Sequence, residues 1–253
     1  MELTVDQHRL GPSEEAWKSA PQLRELAPLD LPQPRRVVIV APHPDDEILG
    51  VGGFLQYMGA QKTPVEVVAV TDGEASHPLA VAQGLDLRAL RAEESVRAFQ
   101  RLRTPTPRVT RLGLPDGRVA SQADQLAQWL RSFLRTGDLC IAPWRHDGHP
   151  DHDACGVAAL VATSAVRADL LGYLVWAWHW ADPHGRDLPW DQCRRFDFDR
   201  RAAARKRLAT RAFVSQTQPL GPDHHDGPLL PAQVVRRFWR AYEVFVTAPD
   251  GAL

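Results

Sequence analysis

The chain has 253 residues, 44% of them hydrophobic and 24% charged, with a formal net charge of -1. That is ordinary globular composition with apolar material for one sizeable core. The near-neutral balance and scattered arginines argue against a nucleic acid or an anionic membrane surface as partner. Three cysteines without a CxxC pair exclude a disulfide framework and a cysteine-rich zinc site, and suit a reducing cytosol.

Residues 1–34 read as an N-terminal extension, Pro-rich towards its end, with one short helix. Its opening, MELTVDQHRLGPSEEAW, has no basic n-region and no apolar h-region, so no signal peptide is expected. The uncharged stretch 154–166 is too short to span a bilayer, so no membrane anchor is expected and the location expected is cytoplasmic. From residue 35 onwards a single domain is expected. The apolar run 37–41 predicts a strand buried on both faces. A helix is expected over 46–60, a strand over 65–70, and a helix over 85–102 carried by Leu85, Ala89, Ala92, Val96 and Phe99. A strand over 108–114, a helix around 126–134 and a strand over 138–143 follow. A helix over 151–168 and a strand over 173–178 complete the alternation. Such alternation predicts an α/β fold, a Rossmann-like parallel sheet flanked by helices. After residue 180 the pattern weakens, with helices expected near 200–212 and 231–241.

Two polar clusters follow two of these strands. The first lies in VVIVAPHPDDEILG, residues 37–50, and supplies His43, Asp45, Asp46 and Glu47. The second lies in APWRHDGHPDHDACG, residues 142–156, and supplies His146, Asp147, His149, Asp151, His152 and Asp153. Ligands in open parallel sheets bind beyond the carboxyl ends of strands, so the clusters can converge. Mixed imidazole and carboxylate donors suit Zn2+, and three protein ligands leave one position open for catalysis. His43, Asp46 and His152 make such a set, with Asp45 beside it to take a proton. Read singly, Asp45 or Asp46 serves as a helix cap and His152 as a first-turn residue.

The string P-H-P-D-D-E after a hydrophobic strand, paired with the downstream H-P-D-H, resembles the PIG-L/LmbE-like family of zinc-dependent N-acetylglucosaminyl deacetylases. RAEE at 91–94, LGLPDG at 112–117, KRLATRAFVSQ at 206–216 and YEVF at 242–245 resemble further stretches of that family. The resemblance implies one zinc ion held by His43, Asp46 and His152, with Asp45 as general base. It implies that His149 assists the charged intermediate or the leaving amine. It makes Arg91 a substrate contact; Asp116, read on its own, fits a contact to a sugar hydroxyl. The implied substrate is a small N-acetylated sugar conjugate.

Other features carry two readings each. Arg91 and Glu94 are one turn apart, which also fits a surface ion pair. Asp116 also fits a turn residue before Gly117. Asp147 either orients a ligand histidine or shapes its loop. GVGG at 50–53 lacks the third glycine of a dinucleotide motif, since residue 55 is Leu, so close helix packing explains it better. His77 reads as a surface-loop histidine, and His224 and His225 as solvent-facing. Trp176, Trp178 and Trp180 would share a strand face, for sugar stacking or for core. A phosphoesterase on the same metal site, and a non-catalytic metal- or sugar-binding module, are the competing functions. A homo-oligomer through the irregular C-terminal part is possible.

Overall fold

The computed structural model describes residues 10–31, 33–220 and 228–247; His224 and His225 lie outside them. Two short helices, α1 (Glu14–Ser19) and α2 (Pro21–Arg24), precede strand β1 (Arg36–Ala41). Then come α3 (Asp46–Leu49), α4 (Gly52–Ala60), β2 (Val65–Thr71), α5 (Pro78–Ala82), α6 (Leu87–Leu102), β3 (Arg108–Leu114), α7 (Ala123–Phe133), β4 (Asp138–Pro143), α8 (Pro150–Val166) and β5 (Asp169–Tyr173). The C-terminal part holds α9 (Ala177–Trp180), β6 (Cys193–Asp197), α10 (Arg200–Thr210), α11 (Val214–Thr217), α12 (Ala232–Val235) and β7 (Tyr242–Thr247).

The seven strands form one sheet in the order β3-β2-β1-β4-β5-β7-β6. The first five pair in parallel, and β7 pairs antiparallel with both β5 and β6. β1 and β4 are buried along their whole length, as central parallel strands are. Alternate residues feed two cores. Val37, Ile39 and Ala41 face the side of α3 and α4 with Phe54, Phe245 and Trp17. Val38, Val40 and Cys140 face the side of α7 and α8 with Leu126, Leu130 and Ala158. All three cysteines are free and buried. No helix among the described residues is long and apolar enough to cross a membrane.

Three expectations need correction: the first is the helix expected near 231–241, of which only α12 (Ala232–Val235) and a 3-10 turn over Arg236–Trp239 form. The helix expected over 46–60 breaks into α3 and α4, because Val51 leaves helical dihedrals (φ -136°, ψ 20°). The strand expected over 173–178 lies earlier, and residues 177–180 are helical instead. The cause is the Asp147 carboxylate. It accepts the N–H groups of Val175 at 3.0 Å, Trp176 at 2.9 Å and Ala177 at 3.0 Å, and so turns the chain out of the sheet. GVGG packs as read: a Cβ on Gly50 would lie 2.4 Å from the Tyr173 ring, and one on Gly53 2.2 Å from Phe198.

Candidate metal centre

β1 and β4 are neighbours although two βα units separate them in sequence, so strand order reverses between them. That crevice is where an open α/β sheet offers a binding site. His43 follows β1 and Asp46 opens α3, where Asp46 Oδ2 accepts the His43 N–H at 2.9 Å. His149 caps α8, and His152 sits in its first turn. His43 Nδ1 lies 3.4 Å from Asp46 Oδ2, and His152 Nε2 lies 3.2 Å from the same oxygen. His152 Nε2 and His43 Nδ1 are 3.3 Å apart. A tetrahedral ion with bonds of ~2.0–2.1 Å holds its ligands about 3.3 Å apart, so the three donors fit zinc in kind and in spacing. Asp46 and His152 are buried, and the His43 side chain is 12% exposed, which leaves one open flank.

Each histidine presents its far nitrogen to buried carboxylate. His152 Nδ1 is 2.9 Å from Asp147 Oδ2. His43 Nε2 is 3.3 Å from Asp151 Oδ2 and 3.2 Å from Asp116 Oδ1. Such contacts fix the tautomer and the ring orientation. His43, His149 and Asp151 form a second set with close donor atoms. Both Asp151 oxygens already accept backbone N–H groups, from Gly117 at 2.7 Å and from Val119 at 3.0 Å.

The charges follow from these neighbours. Burial works against protonated His152, yet Asp46 and Asp147 raise its pKa to about 9. Burial likewise opposes the charged form of His43, and Asp116, Asp151 and Asp46 together raise its pKa well above the ordinary value. Asp46 resists the effect of burial because His152 and His43 hold it below the usual carboxylate range. Burial, followed by the two neighbouring histidines, drives His149 down to about 3. Its Nδ1 accepts the Asp151 N–H at 3.2 Å, so the neutral ring carries its proton on Nε2.

Asp45 turns away from the three donors. Its Oδ2 lies 3.3 Å from Arg91 Nη2, and burial, opposed by Arg91, pushes its carboxyl up to about 8. Its φ is 146°, a conformation costing a residue with a Cβ about 1–3 kcal/mol. The divergence of the two neighbouring aspartates sits in this unusual backbone at Asp45 itself.

These side chains line a cleft of about 220 Å³ with Asp116, Gln216, Leu49, Trp176 and Leu230. Arg91 and Glu94 are buried and are not a surface pair. Arg91 donates to Gly73 O and Pro44 O, at 3.1 and 2.8 Å, while Glu94 accepts the Ser215 N–H and Oγ–H at 2.8 and 2.6 Å. Asp116 bridges His43 to the Ala75 N–H, which it accepts at 2.8 Å, while also lining the cleft. His77 is 2% exposed and bonds Ser76 Oγ at 3.0 Å, so it is no surface histidine. Trp176 lines the cleft with its ring 24° from parallel to that of His149. Trp178 packs edge-on against Trp17, and Trp180 Nε1 donates to Asp147 O. Gln216 closes the stretch 206–216 that resembles the family, though the sequence gives it no site role, and Leu230 lies in a segment with no strand or long helix to signal it.

The family described as PIG-L, GlcNAc-PI de-N-acetylase, matches residues 38–163, which span both polar clusters. The chain belongs to this family. A relative in Bacillus subtilis strain 168, a probable N-acetyl-α-D-glucosaminyl L-malate deacetylase, is 30% identical over 133 residues, 50% of this chain and 59% of that one. The diacetylchitobiose deacetylase of Thermococcus kodakarensis is 27% identical over 160 residues, 59% of this chain and 57% of the relative. The matched regions thus span less than two-thirds of these relatives. Teicoplanin deacetylase Orf2, solved in a zinc-inhibited form, superimposes with a TM-score of 0.60 at 18% identity, over 85% of this chain and all of its own. That last likeness is one of fold.

Proposed function

We propose that the protein is a zinc-dependent hydrolase that removes the acetyl group from an N-acetylated amino sugar. The observation that carries this reading is the convergence of His43 Nδ1, Asp46 Oδ2 and His152 Nε2 at separations of 3.2–3.4 Å beside a cleft. The family match and the activities named for the Bacillus and Thermococcus relatives support the substrate class. The cleft, at about 220 Å³, is smaller than typical ligand pockets of ~300–1,000 Å³, which favours a small conjugate. The buried free cysteines suit a cytoplasmic enzyme.

His43, Asp46 and His152 hold the zinc. Bound there, it supplies a Lewis acid that lowers the pKa of a water towards roughly 7 and polarises a carbonyl. Beside that positive charge Asp45 is a carboxylate and accepts a proton from the attacking water. The Nε2–H of neutral His149 donates to the acetyl oxygen as negative charge develops on it. As the water oxygen bonds the acetyl carbon and Asp45 passes the proton it took to the nitrogen, the C–N bond breaks, the free amine leaves, and the acetic acid formed gives up its remaining proton to solvent as acetate. Arg91 holds Asp45 in place and, with Asp116, lines the wall that receives the sugar.

The test is zinc content by elemental analysis together with release of free amine from N-acetylglucosamine conjugates. The wild type is expected to hold about one zinc per chain, and His152→Ala to lose it. Asp45→Asn is expected to keep zinc and lose about 10²–10⁴-fold in turnover. Near-normal turnover in zinc-loaded Asp45→Asn overturns the assignment of the base. An amine-release assay negative for every N-acetylated sugar overturns the activity.

A further inference from the structure

Glu47 ends the P-H-P-D-D-E string, yet neither the metal donors nor the proton path uses it. It is 2% exposed, on the second residue of α3. A buried carboxylate in a first helical turn needs a partner. The partner here is local: Glu47 Oε2 accepts the backbone N–H of Asp45 at 3.0 Å. Asp45 is the residue with φ 146°. Among the described residues three others with a Cβ have positive φ, and all three lie near 60°, in the ordinary left-handed well. Asp45 lies outside that well, so something must hold it there.

Three contacts act on this one residue. Its carbonyl oxygen accepts the N–H groups of Ile48 and Leu49, both at 2.9 Å. Arg91 approaches its carboxylate at 3.3 Å. Glu47 takes its N–H. The carbonyl bonds belong to any helix start, and Arg91 reaches the Asp45 carboxylate and, at 2.8 Å, the Pro44 carbonyl on the far side of the same peptide. The Glu47 contact holds the N–H of the peptide entering Asp45 while Arg91 holds its carbonyl, so Glu47 supplies the half of the clasp next to Asp45 Cα and with it the direction in which the Cβ leaves the chain. Asp46, the next residue, faces the histidines, while Asp45 faces Arg91 and the cleft.

We infer that Glu47 is a positioning residue: its carboxylate clasps the strained Asp45 peptide and keeps the Asp45 side chain on the cleft, apart from the metal donors. This rests on the reading of Asp45 as general base. Glutamine keeps an oxygen that can accept the same N–H, and alanine removes it.

The experiment is a double-mutant cycle on the zinc-loaded protein, with zinc content, kcat and KM for amine release measured for each variant. Glu47→Ala is expected to lose at least 10-fold in kcat, with KM and zinc content within twofold of wild type. Glu47→Gln is expected to stay within threefold of wild type. Added to Asp45→Asn, Glu47→Ala is expected to change kcat by less than twofold. A loss in the Asp45→Asn background equal to that in the wild type overturns the inference, because Glu47 then acts through another group. So does zinc loss in Glu47→Ala, or kcat within twofold of wild type. Amide exchange at Asp45, followed by NMR, decides the clasp if no sugar is deacetylated. Protection lost in Glu47→Ala and kept in Glu47→Gln supports it, and equal protection in all three proteins overturns it.

Discussion

Replacing Asp147 by asparagine changes one atom and leaves the volume of a fully buried side chain almost untouched. Its consequence follows from counting donors. Asp147 Oδ1 accepts the N–H groups of Val175 and Ala177, and Oδ2 accepts those of Trp176 and His152 Nδ1. Four donors converge on two oxygens, so an amide nitrogen in either place meets two N–H groups head-on. Backbone N–H groups cannot move their protons, but His152 can. If the amide nitrogen takes the Oδ2 position, the imidazole relieves the clash by carrying its proton on Nε2. That is the atom 3.2 Å from Asp46 Oδ2 and 3.3 Å from His43 Nδ1, and a protonated nitrogen cannot bind metal. Loss of such an outer partner typically weakens metal binding about 10–100-fold, or about 1.4–2.8 kcal/mol. Competition for zinc against a chromophoric chelator measures it, with a thermal melt run beside it. The melt alone does not discriminate, since two lost bonds to a charged acceptor destabilise the fold in any case. Zinc affinity in folded Asp147→Asn within twofold of wild type would refute the argument that Asp147 sets the His152 tautomer.

Two further outcomes follow from the same contacts. His152 holds its proton up to about pH 9 and His43 holds one well above the ordinary range, each through facing carboxylates. Zinc uptake below those pKa values must displace protons, so affinity rises with pH across the range in which the two histidines titrate; calorimetry in buffers of different ionisation enthalpy should detect proton release, and its absence at pH 7 counts against the ligand set. Lys206 Nζ lies 2.6 Å from Glu243 Oε1, both groups are 2% exposed, and Glu243 also accepts the Gly53 and Phe54 N–H groups at the start of α4. Lys206→Met strips the counter-ion from a buried carboxylate and is expected to cost about 3–5 kcal/mol in denaturant unfolding; a change below 1 kcal/mol sinks the claim.

The sequence announces this site because strand and chemistry are contiguous. The apolar run 37–41, bounded by prolines and rich in β-branched residues, suits a strand buried inside a sheet, and the residues after such a strand emerge at the rim. The helix that follows β4 places His152 in the same way. Asp147 was legible as a possible partner of a ligand histidine, though its hold on residues 175–177 was not. What stayed hidden depends on charges that the fold buries. β7 carries Glu243 as its second residue, and nothing in the strand's sequence shows that α4 and Lys206 meet it there. Glu94 looked like half of a surface pair, but its partner is Ser215, 121 residues away. The residues after Tyr173 carried a β-like aromatic alternation, and a carboxylate on another loop overrode it.

The segment before β1 has a consequence for how the molecule is made. Trp17 and Leu23 are inside the core, Glu14 binds Arg240, and Arg237 reaches back to the carbonyls of Leu10 and Pro12. These contacts join residues more than 220 positions apart in the chain. A ribosome adding about 5–20 residues per second takes roughly ten seconds or more to travel that distance. For most of that interval Trp17 lacks its partner Trp178, which lies 161 positions further along the chain. Residues 10–23 are therefore made before the rest of the domain yet are among the last to settle, and a nascent chain stalled before Trp178 displays an unburied aromatic segment to chaperones and to its neighbours.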